Sequence, residues 1–279
     1  MVLILTQRER EIISKKIKGL SLTQNESNIL SKTIRPKLNE IREINADLLL
    51  NKLEYNQMAK SIENKVKKII LENIKGVKAI ILCGSAVQTN YKEYNDIDII
   101  IAINRVLNEK TMEKRKMVRR LLDIAEKEGL ILDIQIYALE SIINQYPSSP
   151  SLIYQLKDSK VIYGNIKIPN KIELSSLDLR MKLDWSDIEN IYSEGKKIYQ
   201  ALRNTMLVLL LMNKKVDNYE LKQSIINLFG ENLILRLKKN KVSRAEKKIV
   251  LNYIKSMSDY LSEQLRINPK WEKIEISNH

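Results

Sequence analysis

The 279-residue chain is 44% apolar and 29% charged, an ordinary balance for a globular protein with room for two or three small domains. Its 48 Lys+Arg against 34 Asp+Glu leave +14, an excess that suits a polyanionic partner such as nucleic acid or nucleotide phosphate. One cysteine (Cys83) and one histidine (His279, the last residue) exclude an internal disulfide, a His/Cys zinc site, and Cys–His or Ser–His–Asp catalysis within one chain.

Acid–base and metal chemistry therefore falls to Asp, Glu, Lys and Tyr. The opening "MVLILTQRER" is too short in apolar residues for a signal peptide, and no run approaches 18 apolar residues, so a cytoplasmic protein without a membrane segment is expected. Thr6 to Glu9 and Thr23 to Glu26 have capping-box spacing and start two helices, the first closed by Gly19. Pro36 suits the first turn of a third helix through "KLNEIREI". Residues 1–46 thus read as a helical unit, helix-turn-helix-like, which leaves DNA contact and packing or dimerisation both open.

From Leu48 to Ile74 the apolar positions Leu53, Met58, Ile62, Val66, Ile69 and Ile70 describe a long amphipathic helix. "VKAIILCG" follows as a buried strand in which Cys83 fills core. "DIDIIIAI" is a second strand, "TMEKRKMVRRLLDIAEKEG" a helix closed by Gly129, and "LILDIQIYAL" a third strand. After the Pro147 and Pro150 loop, "SLIYQLKDSKVIYG" reads as a helix and a short strand, which completes a domain over 47–168. Residues 169–279 read as a helical bundle. One helix is expected from Ser186 to Met212, and others start at Asp217 and Ser243, each with Glu three residues on.

The chemistry concentrates in "ILCGSAVQTNYKEYNDIDIII", residues 81–101. Gly84 after a strand lets the backbone approach a ligand closely, Ser85 adds a hydroxyl, and phosphate oxygens suit both. Asp96 and Asp98, two apart on a strand, point to one face, where paired carboxylates repel unless a cation stands between them. Hard divalent cations such as Mg²⁺, or Mn²⁺ in its place, fit these oxygens, with nucleotide phosphates completing the shell. Asp133, inside apolar "ILDIQI", fits as a third metal ligand or as the group that helps deprotonate an attacking hydroxyl. Two metals about 4 Å apart stabilise both oxygens of an in-line phosphoryl displacement.

This pattern resembles the nucleotidyltransferase superfamily of the DNA polymerase β type: Leu82-Cys83-Gly84-Ser85, a ten-residue spacer, Asp96-Ile97-Asp98, and Leu132-Asp133-Ile134 on a later strand. The spacer length matches the minimal nucleotidyltransferase branch. The resemblance implies an α+β fold, a small mixed sheet flanked by helices and followed by a helical bundle. It implies that Gly84 and Ser85 hold the triphosphate, that Asp96, Asp98 and Asp133 hold two Mg²⁺ ions and the acceptor hydroxyl, and that an NMP, AMP from ATP, moves to a hydroxyl with release of pyrophosphate. Val87, Gln88 and Thr89 stand where many relatives have arginine or glycine, and Asn95 where many have serine, which bears on substrate positioning more than on metal binding.

The C-terminal helices distantly resemble HEPN domains, but without an internal histidine they cannot carry the Arg-x4-6-His nuclease motif. Lys196 and Lys197, near Tyr192 and Tyr199, are candidates for the triphosphate and base, with Lys196 and Tyr199 foremost. Two basic clusters, Lys110 to Arg120 and Arg236 to Lys248, read either as solvated helix faces that need no partner or as contacts to a polyanion, and for the latter Lys238, Lys239, Lys241 and Arg244 are the candidate nucleic-acid contacts. An RNA acceptor, tRNA in particular, is expected over a cationic aminoglycoside. The other reading is a nucleotide-sensing or toxin–antitoxin type regulator with a DNA or protein partner.

Overall fold

The computed structural model describes residues 5–18, 20–43, 54–104, 112–169, 171–188, 190–267 and 274–277. The chain divides into two compact units, Met1–Asn56 and Gln57–His279.

In the first unit both capping boxes form. The Thr6 hydroxyl accepts the Glu9 N–H at the start of α1 (Gln7–Ile17), while the Glu9 carboxylate accepts the Thr6 N–H at 2.8 Å. Thr23 and Glu26 do the same for α2 (Gln24–Ile29). Pro36 lies in the first turn of α3 (Arg35–Glu43), as expected, but no turn precedes it. A π-helical stretch, Leu30–Ile34, joins α2 to α3, and the Arg35 N–H reaches back to the Leu30 carbonyl. The wider turn accommodates a residue that has no N–H to give to an α-helical ladder. Glu9, almost fully buried, pairs with Lys37 at 2.7 Å and ties α1 to α3 beside Ile12 and Ile34. Gly19 and residues 44–53 lie outside the described residues.

The second unit opens with α4 (Gln57–Asn73), which starts later than the predicted helix; positions 48–53 of that prediction lie outside the described residues. Then come β1 (Val77–Cys83), a short α5 (Gly84–Gln88), β2 (Ile97–Ile103), α6 (Met112–Lys127), β3 (Leu132–Ala138), α7 (Leu139–Gln145), α8 (Pro150–Lys157) and β4 (Lys160–Gly164). The sheet order is β3-β2-β1-β4, with β2 and β3 parallel and the other pairs antiparallel, so the sheet is mixed. Period-two alternation sends the strand side chains to opposite layers. Ile80, Leu82, Ile99 and Ile101 pack against α4 and α6. Ala79, Ile81, Cys83, Ile100 and Ala102 face the C-terminal helices and share one core with Leu202, Leu207 and Leu211.

Beyond Pro169 the chain is less helical than its composition suggests. β5 (Lys171–Leu174) pairs antiparallel with β6 (Ile274–Ser277), a two-stranded sheet whose halves lie a hundred residues apart in sequence. The helix expected from Ser186 begins at Gly195 instead. α9 (Ser176–Asp184) ends before it, and α10 (Gly195–Met212) starts where Gly195 packs so closely that a Cβ would lie 2.0 Å from the Leu237 carbonyl oxygen. α11 (Asn218–Phe229), α12 (Glu231–Lys238) and α13 (Arg244–Ile267) complete the bundle. Asp217 caps α11 and Ser243 with Glu246 caps α13, both at the expected positions.

Candidate active site

The site lies at the sheet edge where β1 ends and β2 and β3 begin. Register does the assembly: Cys83 stands opposite Asp98 on one side, and Asp133 stands opposite Asp98 on the other. Paired residues share a face, so Asp98 and Asp133 point together toward the bundle-facing layer. Gly84 follows Cys83 with φ +71°, and a Cβ there would sit 1.8 Å from the Asp98 Oδ2. Only glycine lets the strand end turn this tightly against a carboxylate. Ser85 is exposed beside the same turn, where its hydroxyl can meet a ligand.

Asp98 is partly buried, and its carboxyl is pushed up to about 6. Burial is the main cause, followed by the negative charges of Asp96 and Asp133. Arg203 and Lys196 act in the opposite direction, which brings α10 of the bundle electrostatically onto the sheet edge. Lys196, Tyr199 and Arg203 are spaced three and four apart on α10, one face of the helix. Arg203 is half-buried, and its charge also acts on Tyr154 and Lys182. Burial, with Asp98 adding to it, raises the Cys83 thiol to about 12, which leaves it unreactive in the core.

The family model of the nucleotidyltransferase domain matches residues 63–163. Across these residues the chain is a nucleotidyltransferase domain. The matched stretch holds Gly84, Ser85, Asp96, Asp98 and Asp133 and the whole four-stranded sheet up to Tyr163. None of the curated proteins matches the sequence. Among solved structures, the chain is similar to spectinomycin adenyltransferase from Enterococcus faecialis with ATP and spectinomycin, at 17% identity over 74% of this chain and 99% of that one, with a TM-score of 0.49. It is also similar to a chain of the tri-AMPylated Shewanella oneidensis HEPN toxin in complex with MNT antitoxin, at 24% identity over 38% of this chain and 73% of that one, TM-score 0.27.

The negative charges of Asp96 and Asp133 act on Asp98, a repulsion that a bound cation would relieve. The donors are all hard oxygens, the set Mg²⁺ and Mn²⁺ take. Among the described residues no group of three or more His, Cys, Asp or Glu side chains is arranged to hold a metal ion, and of the three aspartates only Asp98 and Asp133 are paired in register.

Of the other predicted residues, Tyr199 has the Lys238 ammonium 4.2 Å from its ring centre, and Tyr192 has the Arg244 guanidinium 5.3 Å from its own. The late basic cluster therefore borders the N-terminal half of α10. Arg236 is not free within it, being paired with Glu246. Lys239 and Lys241 are exposed. In the other cluster Lys110 lies outside the described residues, and Lys114 stands 5.8 Å from the ring centre of Tyr137 on β3. The sequence reading missed Arg203. Its signal was present, since Arg203 follows Lys196 by seven residues, two helical turns on one face.

Proposed function

We propose that this protein is a metal-dependent nucleotidyltransferase that moves an NMP, AMP from ATP, to a hydroxyl acceptor and releases pyrophosphate. The observation that carries the reading is the close approach of Gly84 to Asp98, with Asp133 in register beside it and the charges of Lys196 and Arg203 on α10 acting on the same carboxylate.

Asp96, Asp98 and Asp133 would hold the cations, which when bound neutralise phosphate charge and polarise the transferred phosphoryl group. Gly84 and Ser85 cradle phosphate oxygens at the close turn. Lys196 and Arg203 balance the charge of the departing pyrophosphate, and Tyr199 offers a ring to the base. Asp133, exposed at the start of β3, is placed to take the proton of an acceptor hydroxyl. We assign the acceptor to RNA, tRNA in particular. Support comes from charge: Lys238 and Arg244 stand over Tyr199 and Tyr192, and with the exposed Lys239 and Lys241 they have the wrong sign for an aminoglycoside.

Labelled NTPs with Mg²⁺ and total RNA, total protein or small hydroxyl acceptors test the reaction. Wild type is expected to transfer label, and the Asp96→Ala/Asp98→Ala double variant is not. Equal transfer by the two would refute the assignment.

A further inference from the structure

The spacer between Gln88 and Asp96 is held in a conformation it would not choose alone. Asn90 (φ +50°) and Tyr91 (φ +60°) are consecutive left-handed residues, and neither is glycine. Each such residue costs about 1–2 kcal/mol, so the surroundings must enforce the turn. Local bonds fold it back onto the phosphate-binding turn. The Tyr91 N–H donates to the Ala86 carbonyl at 2.7 Å. The Thr89 hydroxyl donates to the Ser85 carbonyl at 2.8 Å and accepts the Glu93 N–H at 3.2 Å. These bonds tie the spacer from Ser85 as far as Glu93, three residues before Asp96.

One anchor fixes that spacer to the body of the domain. The Tyr91 ring is 2% exposed and meets Tyr94 edge to face, with ring centres 5.9 Å apart. Its phenol donates to the Glu63 Oε1 at 3.3 Å, the same oxygen that Lys160 Nζ holds at 2.7 Å. Glu63, 3% exposed, comes from α4, and Lys160 begins β4 opposite Leu82. Helix, edge strand and spacer meet at one carboxylate oxygen. Nothing in this triad reaches the reacting groups, so the mechanism above does not use it.

We propose that Tyr91, acting through its hydrogen bond to Glu63, is a positioning residue that holds Ser85 and the Asp96–Asp98 pair in the arrangement that binds metal-nucleotide. The assignment rests on the nucleotidyltransferase reading. Without the phenol the strained spacer relaxes, and ligand binding must order it again. A neutral role in core filling is the competing account, and Tyr91→Phe separates the two because it keeps the ring and removes only the hydroxyl.

The test combines hydrogen–deuterium exchange of the full-length, ligand-free protein with calorimetry of Mg²⁺-ATP and of ATP in EDTA. Tyr91→Phe should speed exchange over residues 86–96 by about five- to tenfold, the worth of one net hydrogen bond, and leave α10 unchanged. It should weaken Mg²⁺-ATP by a similar factor and leave ATP in EDTA unaltered. Glu63→Ala should repeat the effect, and Glu63→Gln, which still offers the phenol an oxygen, should restore most of it. Unchanged exchange in Tyr91→Phe overturns the proposal, as does a loosened spacer with unchanged Mg²⁺-ATP affinity. Failure of Glu63→Gln to restore overturns the hydrogen-bond assignment. A wild-type protein that binds ATP equally with and without Mg²⁺ sinks the nucleotidyltransferase reading instead, and the exchange data then report the spacer separately.

Discussion

Replacing Asp98 with Asn tests the electrostatics of the site without any substrate. The Asp98 carboxyl titrates near 6 in the folded chain against 3.8 for a free group. That is about two powers of ten in proton affinity, on the order of 3 kcal/mol at about 1.4 kcal/mol per tenfold. The sign follows from which state holds the proton. Between pH 3.8 and about 6 the folded chain keeps a proton that the unfolded chain has released, so stability falls as pH rises through this window. Below it the ionisation penalty is absent, and above it the penalty is complete. Urea unfolding of wild type and Asp98→Asn in EDTA, from pH 4 to 8, should therefore give a gap that widens in favour of the variant. Near pH 8 that gap should correspond to a midpoint rise of roughly 5–10 °C in a thermal scan. Exchanging a carboxyl oxygen for an amide nitrogen adds an offset that does not vary with pH, so only the slope reports ionisation. A gap that is flat with pH would refute the claim that Asp98 is pressed between burial, Asp96 and Asp133.

Gly84→Ala should abolish Mg²⁺-ATP binding by calorimetry and cost about 1–3 kcal/mol in urea unfolding, because the new methyl meets the Asp98 carboxylate in a left-handed turn; normal binding would remove the close-approach account. Arg203→Ala should weaken Mg²⁺-ATP about tenfold or more while Lys182→Met does not, a difference that equal affinities would cancel. Lys182 is 9% exposed, held by the Ser151 hydroxyl at 2.8 Å and lowered to about 8, first by burial and then by Arg203. Its charge burdens the folded state below pH 8 and stops doing so as pH rises toward 10.5, so Lys182→Met should be more stable than wild type at pH 7 with the gain shrinking above pH 8. For tRNA, neutralising Lys238, Lys239 and Lys241 together should lower the slope of log affinity against log salt by about 2 to 3, and an unchanged slope would take them out of the interface.

The core of the site was legible because its parts are local in sequence or set by strand period. A glycine at a strand end and two aspartates two apart can be read before any fold is known, and the parallel register that brings Asp133 beside Asp98 follows once both lie on neighbouring strands. Capping boxes at Thr6, Thr23 and Ser243 were legible for the same reason, each being complete within four residues. What stayed hidden depends on distant partners. The β5–β6 pair joins segments with no local strand signal strong enough to override their helical surroundings. The late start of α10 answers to Leu237 and to Asn240, whose side chain accepts the Gly195 N–H at 3.0 Å. The run through Pro36 depends on a π-helical turn that no periodicity announces.

The division of labour between sheet and bundle explains why the site needs both. The strand ends supply Asp98 and Asp133, and the Asp98 carboxyl is raised first by burial and then by the charges of Asp96 and Asp133. Metal ions would more than neutralise them, and a triphosphate must then be balanced from elsewhere. In the proposed site Lys196 and Arg203 of α10 would provide that balance, and the helix's apolar face holds it in place: Leu202, Leu207 and Leu211 share a core with Ile81, Cys83 and Ile100, the strand residues next to the aspartates. Substitutions in that core should therefore act on nucleotide affinity as well as on stability. Leu207, fully buried, is the place to see it, since Leu207→Ala loosens α10 without touching a charged group. Its loss of stability, about 2–5 kcal/mol, should come with weaker Mg²⁺-ATP binding even at temperatures where the variant is fully folded. A variant that is destabilised yet binds Mg²⁺-ATP as wild type does would mean that the cations of α10 are bystanders and that the sheet edge binds nucleotide by itself.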